Sequence, residues 1–80
     1  MRYIFDIAKF RETLDKGRFV LSADPNIPLT YEIYGKKLGV DKSTISRLLS
    51  GKTYPSLNLI KSVFTALDVK DWENTYWVEL

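Results

Sequence analysis

Two glycines four residues apart, inside an otherwise helix-forming run, constrain this chain more than any other feature. They lie in residues 31–55, YEIYGKKLGVDKSTISRLLSGKTYP. With Tyr31 as the first position, Gly35 falls at the fifth and Gly39 at the ninth. Apolar residues take the fourth, eighth, tenth, fifteenth and eighteenth: Tyr34, Leu38, Val40, Ile45 and Leu48. The pattern predicts two short helices meeting at a tight turn. Helices that cross steeply need a residue without bulk where they touch, which suits Gly35. A turn of this kind needs one backbone position with φ > 0, which suits Gly39 because glycine alone adopts it without steric cost. Asp41 stands where its carboxylate can accept from the free amides of Ser43 or Thr44 and cap the second helix. Ile45 and Leu48, three apart, face inward, which leaves Lys42, Ser43, Ser46, Arg47 and Ser50 facing outward.

The charge distribution points the same way. Residues 31–61 carry six basic side chains (Lys36, Lys37, Lys42, Arg47, Lys52, Lys61) against Glu32 and Asp41. Residues 62–80 carry Lys70 against Asp68, Asp71, Glu73 and Glu79, although the whole chain is only +2. Positive charge is thus concentrated on the helical pair, as a phosphate-binding surface requires.

The stretch GVDKSTISRLLSGKTYPSLNLIKSVFTALDV resembles the helix-turn-helix of the lambda-repressor-like (XRE) DNA-binding domains almost without a gap. Counted over residues 31–69, the resemblance covers about half the chain. The sequence departs from the family pattern at its first position, often Gln there and Tyr31 here, and in a longer connection before the motif. The resemblance implies a mainly α, lambda-repressor-like domain of four to five helices, with the helix-turn-helix at residues 31–50. It also implies a DNA-binding regulator, a small repressor of the kind found in phages and bacteria, that lays its second motif helix in the major groove of an operator. By position in the motif, Lys42, Ser43, Ser46 and Arg47 are then the residues that reach base edges. Arg47 is the one long planar donor among them, able to bond guanine O6 and N7 together. Tyr31, Thr44, Ser50, Lys52, Thr53 and Tyr54 are the expected phosphate contacts. The competing reading keeps the fold without DNA: a protein-interaction module such as a repressor antagonist or an antitoxin-like partner. The positive outward face of residues 42–50 favours DNA, since an interaction module would show apolar or acidic residues there.

Eighty residues suffice for one domain with one small core. Without cysteine, helix packing or dimerisation must supply the stability, as a reducing cytoplasm would permit. No apolar run approaches the about 20 residues of a membrane span, and the N-terminus lacks a signal-peptide pattern. A cytoplasmic protein is expected, with no membrane, cofactor or small-molecule substrate. With neither His nor Cys, the common zinc sites and the Ser-His and Cys-His nucleophile pairs are unavailable, so neither a metal nor an enzymatic role is expected. Gly51-Lys52-Thr53 mimics the end of a phosphate-binding loop. The glycine that motif needs five residues earlier is Ser46 here, and a helix precedes the tripeptide in place of a strand.

Around the motif, residues 1–5 (MRYIF) are strand-like. Asp6 reads as the N-cap of a helix carrying Ile7, Phe10 and Leu14 on one face and running to about Lys16, with Gly17 as a left-handed stop. Residues 18–21 (RFVL) read as strand again. Two prolines make residues 22–29 a loop, and Thr30 caps the next helix, with Leu29 and Tyr34 placed as a hydrophobic staple. Gly51 closes the helix over 42–50. Ser56 caps the following one, whose stripe is Leu57, Ile60, Val63, Phe64 and Leu67. Residues 69–74 hold one further turn capped by Asp71, with Trp72 turned to the core. The end, TYWVEL, alternates as a strand does. This strand is free to pair with residues 1–5, with its copy in a second subunit, or with both. One expectation is a homodimer contact made by Trp72, Tyr76, Trp77 and Val78. The other is that Trp72 and Trp77 complete the monomer's own core.

Overall fold

The computed structural model describes residues 2–79. A short strand β1 (Tyr3–Phe5) leads into helix α1 (Ile7–Val20). Helices α2 (Tyr31–Leu38), α3 (Lys42–Ser50) and α4 (Leu57–Ala66) follow, then one turn of helix α5 (Trp72–Thr75) and a closing strand β2 (Trp77–Glu79). The architecture is mainly helical, as expected. Strands β1 and β2 pair antiparallel, with Tyr3 opposite Glu79, Ile4 opposite Val78 and Phe5 opposite Trp77. The terminal segments therefore pair with each other. Met1 and Leu80, which belong to the two predicted strands, lie outside the described residues.

Three of the expected caps form through the side chain. The Asp6 carboxylate accepts from Lys9 N–H, the Thr30 hydroxyl from Ile33 N–H and the Ser56 hydroxyl from Leu59 N–H. Each satisfies one donor that a helix start leaves open. Asp41 stands at the start of α3 but makes no side-chain cap bond. Its carbonyl takes the Thr44 and Ile45 amides instead, while the exposed carboxylate stays in water. Asp71 likewise precedes α5 without a side-chain cap: its carbonyl takes the Asn74 and Thr75 amides, and its carboxylate accepts from the Asn74 side-chain amide.

Helix α1 is longer than the sequence suggests. It runs through Gly17 to Val20, and the segment RFVL, expected as strand, forms its last turn. Gly17 is no left-handed stop. It is buried, and a Cβ there would collide with the Tyr34 hydroxyl and come within 2.6 Å of Leu67 Cδ2. The glycine lets α2 and the end of α4 close on α1. The helix ends at Leu21, whose N–H returns to Gly17 and Phe19 carbonyls. Residues 22–29 then cross as a braced loop: Ser22 Oγ donates to Ile27 O at 2.6 Å and Leu29 N–H to Arg18 O at 3.0 Å.

The core comprises Phe5, Phe10, Leu14, Tyr34, Leu38, Ile45, Leu48, Ile60, Val63, Phe64 and Tyr76. Phe10 and Phe64 meet edge to face at 5.5 Å, and Phe64 also packs against Tyr76 at 4.6 Å and Trp72 at 5.3 Å. Tyr76, expected at a subunit contact, lies in the core of the single chain, 7% exposed. Its hydroxyl shares a 2.6 Å hydrogen bond with Thr13 Oγ1, and its carbonyl accepts from Asp6 N–H. Trp72 is half-buried against the same cluster. Leu57 also departs from expectation. The first residue of α4, it is 54% exposed and faces away from the core stripe made by Ile60, Val63 and Phe64.

Candidate nucleic-acid interface

The turn between α2 and α3 is built from backbone as much as from side chains. Gly39 takes φ 76°, and its N–H and that of Val40 both return to Gly35 O. This closes the end of α2 in the way a left-handed glycine allows. A Cβ at Gly35 would lie 2.5 Å from Val40 O and 3.4 Å from Lys42 N. The start of α3 therefore rests on the bare Cα of α2. No side chain can be accommodated between them, and the relative placement of the two helices follows from that contact.

Helix α3 is sharply two-sided. Ile45 and Leu48 are buried, while Lys42, Ser43, Ser46, Arg47 and Ser50 are exposed. The four side chains expected to reach bases share this exposed face, and the helix, KSTISRLLS, contains no acidic residue. Gly51 ends it at φ 80°; Gly51 N–H returns to Arg47 and Leu48 carbonyls and Lys52 N–H to Arg47 O.

The expected phosphate contacts are more scattered. Ser50 and Lys52 are exposed at the end of α3, where Ser50 Oγ donates to Arg47 O. Thr53 is half-buried. Thr44 is half-buried and lines a shallow depression at the turn with Gly35, Lys36, Gly39, Val40 and Asp41. Tyr31 is half-buried at the first position of α2, with the Arg18 guanidinium 4.6 Å above its ring. Tyr54 is exposed, but it borders an apolar cleft with Tyr3, Ile4, Pro55, Leu57 and Trp77.

Two arginines near this region escaped the sequence reading. Arg18, read as part of a strand, donates from Nε to Leu29 O and covers Tyr31. Arg11 on α1 lies against Gly51 at the end of α3. A signal for both was present: a helix continued through Gly17 puts residues seven apart, two turns on, along one face.

The close-packed helix pair, its left-handed glycine turn and a second helix with one buried and one basic polar face define a helix-turn-helix. The family model described as helix-turn-helix (HTH_3) matches residues 29–71. That is more than half of the chain, and the protein belongs to this lambda-repressor-like (XRE) family of DNA-binding regulators. No curated protein and no solved structure matches the chain. No helix among the described residues is long and apolar enough to cross a membrane.

Proposed function

We propose that this protein is a sequence-specific transcriptional repressor of the small phage and bacterial kind, acting in the cytoplasm. It inserts α3 into the major groove of an operator. The observation that carries the reading is the exposed face of α3, basic and hydroxyl-bearing, on a helix whose other face is buried in the core. Lys42, Ser43, Ser46 and Arg47 read base edges, Arg47 in bidentate fashion on guanine; short serines permit close approach. Tyr31, Thr44, Ser50, Lys52 and Thr53 hold phosphates and set the register. Selection of bound sequences from a random duplex pool tests this. An enriched motif is expected, and a pool that stays random after repeated rounds would return the fold to a protein-interaction role.

The regulator acts as a homodimer. A single recognition helix covers only a few base pairs, and regulators of this type place two about 34 Å apart on successive turns of the major groove. The surface that supports a second copy is the apolar cleft between the terminal strands and the start of α4. Tyr3, Tyr54, Leu57 and Trp77 are 57%, 60%, 54% and 37% exposed around it, and none of its lining residues is charged. Apolar patches of this kind on a small domain mark protein contacts. Trp77 and Val78 remain in the proposed contact; Trp72 and Tyr76 serve the monomer.

A further inference from the structure

Along α1, Arg11 and Arg18 turn toward the helix-turn-helix, one against Gly51 and the other over Tyr31. Thr13, Lys16, Gly17 and Val20 form a different row, at the spacing that brings helical side chains onto one face. With Leu67 and Val69, just past the end of α4, this row encloses a recess of about 160 Å³. The recess shares no residue with α2, with α3 or with the cleft beside the terminal strands.

Its walls are chemically one-sided. Gly17 presents only backbone, and Val20, Leu67 and Val69 are aliphatic. The Thr13 hydroxyl is already engaged, donating to Lys9 O at 2.9 Å and sharing a 2.6 Å bond with the Tyr76 hydroxyl. Lys16 is the one charged residue of the lining. Its ammonium gives one of its three N–H donors to Glu12, at 2.8 Å, which leaves the others for an acceptor. Asp68 stands between Leu67 and Val69 in sequence, yet it is exposed and lies outside the lining. Val20 is 73% exposed, more than any other large apolar side chain among the described residues.

Size and charge together select an occupant. An apolar cavity of about 150 Å³ accommodates a benzene ring. The space thus suits a single ring or a short branched chain, whereas a docked helix needs a groove long enough for several anchors. The lone cation at the edge calls for an anion. We infer that the recess between α1 and the end of α4 binds a small aromatic or branched aliphatic carboxylate. Val20, Leu67 and Val69 hold its apolar body over Gly17, and its carboxylate accepts from Lys16 Nζ. An occupied recess joins α1 to the segment after α4 and so stabilises the folded chain. The site depends on neither DNA nor a second copy.

The test titrates the full chain with phenylacetate and follows the backbone amide resonances, with thermal melting alongside. Saturable shifts centred on Gly17, Val20, Leu67 and Val69 are expected, with a rise in melting temperature. Phenylacetamide, of the same shape without the charge, should bind about threefold more weakly, the worth of one exposed ion pair. Lys16→Met should bind both probes alike, and Val20→Glu, which sets a carboxylate beside the recess, should reject phenylacetate. Both side chains are exposed, so both variants should fold as the parent does. Shifts that do not saturate, or that centre on another face, overturn the inference. So does a parent that binds the two probes equally, or a Lys16→Met protein that keeps the preference for phenylacetate. Movement of the same amides when the protein alone is concentrated gives the recess to a second copy and overturns the inference as well.

Discussion

The Tyr34 hydroxyl donates to the Leu14 carbonyl at 2.6 Å, joining α2 to α1 in the interior of the domain. Both residues are fully buried, and Gly17, one turn further along α1, lies directly against the same hydroxyl. The first helix of the DNA-binding pair is thereby fastened to the long N-terminal helix by a polar contact with no access to water. Such a bond contributes modestly when made and costs more when one partner is left alone.

Burial pushes the Tyr34 phenol far above its ordinary pKa, because the ionised form would sit desolvated in the core. In the unfolded chain it titrates near the usual value of about 10. Above that pH the unfolded state releases a proton that the folded state keeps, so this group's contribution is complete below about pH 10 and is lost as pH rises further. Tyr34→Phe should cost about 0.5–1.5 kcal/mol at neutral pH. It should also flatten the fall in urea midpoint measured from pH 9 upward. Equal alkaline slopes in parent and variant would contradict the assignment.

The two motif glycines should differ in what they tolerate. At Gly35 a methyl group would meet the Val40 carbonyl, which is backbone and cannot step aside. Gly35→Ala is expected at the upper end of the about 1–3 kcal/mol that overpacking costs, and Gly35→Leu to unfold the motif. At Gly39 nothing lies within 4 Å, so Gly39→Ala carries only the left-handed backbone penalty of about 1–2 kcal/mol. Thermal melting of the three variants decides. A Gly35→Leu protein that melts with the parent rejects the helix contact.

On DNA, Arg47→Ala should lower affinity for a selected site by roughly 1–3 kcal/mol and relax the preference at one base position. Lys52→Ala should weaken all sequences alike and make the salt slope shallower by about one unit. Titrations of both variants against matched and mutated sites measure the difference. Two variants indistinguishable from the parent would remove this face from the interface.

Leu57→Lys probes the dimer without touching the core, since its side chain faces outward. The expected result is an unchanged melting profile at low concentration and a shift from dimer to monomer in light scattering. Deleting the last six residues would not serve, because Tyr76 packs on Phe5 and Phe64 and its carbonyl holds Asp6 N–H. A parent that stays monomeric at high concentration and on its operator sinks the dimer.

Much of this protein was legible in its sequence because the deciding forces act over a few residues. Asp6, Thr30 and Ser56 each cap through a bond to an amide three residues on, and Gly39 and Gly51 take the positive φ that their turns demand. The inward pair Ile45 and Leu48 follows from helical periodicity, and with it the outward face of α3. Other features depended on what lies across the interior. Gly17 carries the same local signal as a helix stop, and only the Tyr34 hydroxyl and Leu67 packed against it reveal a close contact that lets α1 continue through residues 18–20. Leu57 sits in register with an apolar stripe but precedes the point where α4 meets the core. Tyr76 and Trp77 are adjacent aromatics with equal claims to burial. The pairing of β2 with β1 turned one inward and left the other at the rim of the cleft. Arg11 is one more cation on a helix until the fold sets it beside Gly51 with its Nε enclosed. Backbone preference and periodicity are properties of neighbouring residues. Contact, burial and an unpaired charge are relations between distant ones, and the tertiary structure alone decides them.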